Sequence, residues 1–127
     1  RVVSFINSLN PEIDDLVYRI EREAREEEVP IVRTETRELL KVLELIQKPQ
    51  RILEVGTAVG FSSIYMSQYL PEGGSITTIE KYPPRIEAAK KNFIRTGTTD
   101  RITLLEGDAA DILKSLTQEY DIHMAHG

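Results

Sequence analysis

From Arg51 onward, short apolar runs alternate with stretches of helical period, and that alternation leaves few folds open. Arg51 to Val55 (RILEV), Ser75 to Glu80 (SITTIE), Ile102 to Glu106 (ITLLE) and a run from Tyr120 to Met124 read as strands. Mostly apolar runs of this length suit strands buried on both faces. Phe61 to Leu70, the stretch opened by Pro83-Pro84, and a short segment capped by Asp108 carry apolar residues at helical spacing. Ile86, Ala89 and Phe93 form the inner face of the second helix, with Gly97 as its C-cap. The order β-α-β-α-β-α-β implies parallel strands joined by right-handed crossovers. The expected fold class is α/β: a Rossmann-like parallel sheet with helices on both faces.

Two helices precede this unit. Asn10-Pro11 opens the first, with Ile13, Leu16, Val17, Ile20 and Ala24 at helical spacing. Its charged residues Glu21, Arg22, Arg25, Glu26 and Glu28 read as a solvated face, and Pro30 ends it. The second helix runs from Thr34 to Gln47, with Leu39, Val42, Leu43 and Ile46 on one face and Pro49 beyond its end. The expected organisation is one domain over 1–127, with N-terminal helices in 1–50 and a ligand-binding β-α-β half in 51–127.

Strand ends carry the chemistry. Glu54-Val55-Gly56-Thr57-Ala58-Val59-Gly60-Phe61-Ser62 lies where the first strand turns into a helix. Glycine there permits a tight turn and close approach of a ligand. The helix that follows presents free N–H groups to an anion, either a phosphate or an amino-acid carboxylate. Glu54, read as standing at the mouth of the site, disfavours a phosphate and suits an ammonium group. The spacing is Gly-x-x-x-Gly, not the Gly-x-Gly-x-x-Gly of a dinucleotide fingerprint. Glu80 ends the second strand, 24 residues after Gly56, where a carboxylate can accept from both hydroxyls of a ribose. Gly107-Asp108-Ala109 follows the third; Asp108 can accept from an exocyclic amine, and Ala109 leaves room for a ring. Each residue also has a plain structural role open to it: turn glycine, strand-end acid, helix cap. Their joint placement on three successive strand ends favours a nucleoside bearing an amino-acid tail.

ILEVGTAVGFSS, SITTIEKYP and RITLLEGDA resemble the successive motifs of the cation-dependent O-methyltransferases, the group that includes caffeoyl-CoA and catechol O-methyltransferases, and its small bacterial members above all. VPIVRTETRELL resembles the helix before that family's first strand, so the resemblance covers nearly the whole chain. It implies an S-adenosylmethionine cofactor in a class I methyltransferase fold. Glu54, Gly56, Thr57 and Ser62 would surround its methionine part, Glu80 its ribose, and Asp108 and Ala109 its adenine. Val32 would line the same pocket. The implied reaction moves a methyl group to a hydroxyl of a small catechol-like acceptor, assisted by a divalent cation such as Mg²⁺. A hydroxylated uridine in tRNA is an alternative acceptor, and a homodimer is the expected assembly.

The tail departs from that pattern. Tyr120-Asp121 begins the fourth strand as the family does, but Ile122-His123-Met124-Ala125-His126-Gly127 follows, and the family's metal-binding Asp would fall at His126. Histidines at 123 and 126 point to opposite faces of a strand and do not by themselves make a metal site. The ligands of the expected cation are therefore not expected in this chain, and a truncated, joined or foreign tail is. Two rival readings are a non-catalytic binding or assembly module and, more remotely, an NAD-dependent oxidoreductase.

Composition narrows the setting. Net charge is −5, which gives no long-range attraction to nucleic acid. Cysteine is absent, so neither disulfides nor thiolate ligands contribute, and a reducing cytoplasm is the expected compartment. No apolar run approaches the roughly 18 residues that span a bilayer. The first residue is Arg1 rather than Met, which suggests a trimmed product.

Overall fold

The computed structural model describes residues 11–27, 29 and 34–125. Helices α1 (Pro11–Glu26) and α2 (Thr34–Gln47) lead into strand β1 (Arg51–Val55). Then come α3 (Phe61–Ser67), β2 (Ser75–Glu80), α4 (Pro83–Thr96), β3 (Ile102–Glu106), α5 (Ala109–Ser115) and β4 (Ile122–Ala125). The sheet is wholly parallel, in the order β3-β2-β1-β4. The order reverses between β1 and β4, so the switch point near which such sheets take ligands lies at the carboxyl end of β1.

Side chains alternate across the sheet. Ile52, Ile76 and Ile102 point to one face and merge with Val59, Phe61, Ile64, Met66, Ala89 and Phe93 into a single core. Helices α3 and α4 supply that cover, and α1 packs over both through Val17, Ile20 and Ala24. Among the described residues the other face carries only α5, none of whose residues is buried. A cavity of about 440 Å³ remains there, lined by Leu53, Leu113, Leu116, Tyr120 and His123.

Four expectations for the helices change. The apolar stripe of α2 turns outward: Leu39, Val42 and Ile46 are exposed, the last at 73%. Its inward face instead carries Lys41 and Glu44, each 1% exposed. The reason lies in α3 and the turn after it, whose surface towards α2 is aromatic. Arg37 stacks on Phe61 and Tyr65, and Lys41 on Tyr65 and Tyr69, with 5.2–5.8 Å from cation to ring centre. Cations win that surface because a ring face attracts them. Second, Glu21 leaves the solvated face of α1; it is buried and pairs with Arg37 and Arg25. Third, α3 stops at Ser67 rather than Leu70. Fourth, α1 stops at Glu26; Asn10, Glu28 and Pro30 lie outside the described residues.

The departing tail joins the sheet. β4 begins at Ile122 rather than Tyr120 and runs beside β1, from Ile52↔Ile122 to Val55↔Ala125. Ile122 and Met124 pack against the core, so the atypical residues keep the alternation a strand needs. Asp121 ties the start of β4 to β1: its Oδ2 accepts from the N–H groups of Gln50 (2.7 Å) and Arg51 (3.0 Å). Those bonds hold its carboxyl below the usual aspartate range. His126 lies outside the described residues.

Candidate functional site

The loop after β1 spends most of its length in the left-handed region. Gly56 (φ 94°), Ala58 (φ 51°) and Gly60 (φ 88°) all have positive φ. Glycine is required at 60 for a second reason: a Cβ there would come within 2.6 Å of Cε1 of Phe93. Strand β2 holds the loop from one side. Gly56 and Thr57 donate their N–H groups to the Ile79 carbonyl at 2.9 and 3.2 Å. Ala58 donates its own to Oε1 of Glu80 at 2.8 Å.

Glu80 therefore has a structural task as well as its place at the strand tip. Its second oxygen accepts from the N–H groups of Lys81 (3.1 Å) and Tyr82 (3.2 Å), at the start of α4. A carboxylate offers about four lone-pair sites, so these bonds leave capacity for a ligand hydroxyl.

Gly56, Glu80, Asp108 and Ala109 line one cleft of about 320 Å³, together with Val55, Ile79, Lys81, Gly107 and Ala110. Parallel register accounts for this. Val55 stands beside Ile79, and Glu80 beside Glu106, so three strand tips end at one level. Asp108 caps α5, with Oδ1 accepting from the N–H of Ala110 (2.9 Å) and Asp111 (3.4 Å). The cap and the cleft use the same exposed carboxylate, so the two roles expected of it coexist geometrically.

Glu54, Thr57 and Ser62 sit elsewhere. Glu54 does not stand at the mouth of the cleft; it is 0% exposed, beneath the loop. Its carboxylate accepts from the hydroxyls of Ser62, Ser63 and Thr78, the last at 2.7 Å. Thr78 and Thr57 share a further hydroxyl–hydroxyl bond of 2.7 Å. The physical reason is register: Glu54 and Thr78 pair across β1 and β2 on the core-facing side, under α3. A carboxylate buried there needs donors, and three hydroxyls supply them. Sequence reasoning misses Ser63 and Thr78, although both follow from alternation: each lies on the strand or helix surface that Glu54 must face. Val32 lies outside the described residues.

Among the described residues, no three His, Cys, Asp or Glu side chains group so as to hold a metal ion. His123 lies on the thinly covered face, edge-on to Tyr120. No helix among the described residues is long and apolar enough to cross a membrane.

Known proteins of several kinds are similar to this chain. It is 38% identical over 80 residues to a catechol O-methyltransferase of Niastella koreensis, covering 63% of this chain and 36% of that one. A Pyrobaculum aerophilum protein named for cobalt-precorrin-6B C(15)-methyltransferase (decarboxylating) activity is 37% identical over 93 residues, or 72% and 47% of the two chains. The crystal structure of the O-methyltransferase TomG from Streptomyces achromogenes, in complex with SAM, superposes with a TM-score of 0.77 at 29% identity, covering 87% of this chain and 52% of TomG. The chain thus spans about half, or less, of each of these three proteins. Residues 8–125 match the model of a family described as O-methyltransferase, and since that match takes in both N-terminal helices and all four strands, the chain belongs to the O-methyltransferase family.

Proposed function

We propose that the chain binds S-adenosylmethionine across the tips of β1, β2 and β3, as the cofactor-holding part of an enzyme that methylates a hydroxyl of a small catechol-like acceptor. The observation that carries this is the single cleft walled by Gly56, Glu80, Asp108 and Ala109. When bound, the cofactor supplies an electrophilic methyl group on a sulfonium. The glycine turn admits the ligand close to the backbone, Glu80 accepts from the ribose, and Asp108 and Ala109 border the base. Glu54 acts one layer below, through the hydroxyls of Ser62 and Thr78, fixing the floor on which the methionine part rests. Such residues contribute by orientation, since an in-line displacement needs the acceptor oxygen, carbon and sulfur aligned.

The catechol-like acceptor is favoured by the Niastella koreensis relative's name, while the Pyrobaculum aerophilum relative is named for a methyl transfer to carbon. The cofactor half is therefore common ground, and acceptor choice rests with groups outside the cleft. The tail, which puts His126 where the resembled family has its metal-binding Asp, favours a second reading: a cofactor-binding module without turnover of its own.

Calorimetric titration with S-adenosylhomocysteine, and separately with NAD, tests the cofactor. Binding of the first alone is expected, and Glu80→Ala is expected to weaken it about a hundredfold, as loss of charge-assisted bonds does. Tight NAD binding without S-adenosylhomocysteine binding would overturn the reading. A methyl-transfer assay on catechols, with and without Mg²⁺, separates the enzyme from the module.

A further inference from the structure

The loop has a handle that its own strands do not provide. Asn92, in the middle of α4 and 7% exposed, donates its Nδ2 to the carbonyl of Val59 at 2.7 Å. Val59 is itself buried, and it lines with Asn92, Glu23, Lys91 and Arg95 a cavity of about 280 Å³ between α1 and α4. The next residue, Phe93, presses its ring against Gly60 so closely that no Cβ fits between them. Two consecutive residues of one helix therefore seat the second half of the loop: Phe93 limits how near it comes, and Asn92 fixes how it turns. The first half is held by Ile79 and Glu80 of β2. The loop is thus clamped between the strand that carries the ribose acid and the helix that follows that strand.

We infer that Asn92 is a positioning residue for the ligand cleft, acting on cofactor affinity through Val59 and Gly60 without touching the cofactor. The inference rests on the reading that the cleft takes S-adenosylmethionine. A left-handed glycine has access to several backbone states, and an anchored carbonyl next to it selects one. Without the anchor, the loop must be ordered by the ligand at the ligand's expense.

Asn92→Asp keeps the shape of the side chain but replaces the donor with an acceptor facing the Val59 carbonyl. Thr96→Val serves as the matched control: Thr96 is equally buried on α4 and bonds the Asn92 and Phe93 carbonyls, but does not reach the loop. Three readouts are taken on the wild-type chain and both variants: thermal midpoint, S-adenosylhomocysteine affinity by calorimetry, and amide hydrogen exchange of residues 56–60. Both variants are expected to melt lower. Only Asn92→Asp is expected to bind about tenfold more weakly and to exchange faster in the loop, the scale of one buried hydrogen bond. Equal affinity in all three folded proteins overturns the inference, as does loop exchange unchanged by Asn92→Asp. If the wild-type chain fails to bind S-adenosylhomocysteine while loop exchange still responds to Asn92→Asp, the cofactor reading falls and the anchor stands. Should Asn92→Asp not fold, Asn92→Ser, smaller and neutral, is carried through the same measurements: weaker binding with faster loop exchange supports the inference, and wild-type values of either overturn it.

Discussion

One face of the sheet is packed and the other is merely visited. Helices α3 and α4 lie on the first, backed by α1, and its side chains are almost completely removed from water. On the second, α5 buries none of its residues and leaves a cavity of about 440 Å³. The candidate cleft opens between these regimes, at the strand tips. Its floor belongs to the packed face, where Glu54 and its hydroxyls lie, and its far wall to α5 through Asp108 and Ala109. Rigidity and access thus come from different sides of one sheet.

Substitutions can widen or erase that contrast. Ile76→Ala on the packed face should destabilise the chain by about 4 kcal/mol, as cavity-forming changes in tight cores do, read as a lowered urea midpoint. Gly60→Ala should follow at about 3 kcal/mol, because the new methyl meets Phe93 and the residue must hold φ near 88°. It should also abolish binding of S-adenosylhomocysteine in calorimetry; retained binding would mean the loop is less constrained than its contacts imply. Glu44 tests whether the packed side is uniformly favourable. Its two carboxylate oxygens find no hydrogen-bond partner among the described residues, and burial pushes its carboxyl from the ordinary 4.5 up to about 8. A folded value above the unfolded one means the unfolded chain gives up its proton first. The stability contribution is then complete below pH 4.5 and is lost as pH rises towards 8. Glu44→Gln should flatten that slope and raise stability at pH 8 by on the order of 2 kcal/mol, measured by urea unfolding at several pH values. Leu113→Ala on the open face should cost less than about 1 kcal/mol, since the side chain is already exposed. A loss as large as that of Ile76→Ala would show the two faces to be equivalent and break the comparison.

How much of this is legible in the sequence depends on what each residue answers to. The four strands, their parallel order and the convergence of Gly56, Glu80 and Asp108 are legible, because punctuation at strand ends is local. The orientation of α2 is not. Its stripe of Leu39, Val42 and Ile46 looks like an inward face until the partner surface is known to be a row of aromatic rings that recruits Arg37 and Lys41. Glu54 stands out in the sequence, but its depth depends on Ser62, Ser63 and Thr78, which meet it only after β1, β2 and α3 have packed. Asn92 lies in mid-helix, where nothing in its neighbours announces a bond to a loop 33 residues earlier.

Glu80 joins two events that are usually measured separately. One of its oxygens restrains the loop and the other restrains Lys81 and Tyr82 at the entry to α4, so whatever occupies the strand tip also bears on the melting of both. By reciprocity, a ligand that strengthens those restraints must itself be held more firmly wherever they are already intact. The unfolding temperature of this chain is then a gauge of cleft occupancy, and the saturation curve can be recorded with a thermometer instead of a labelled substrate.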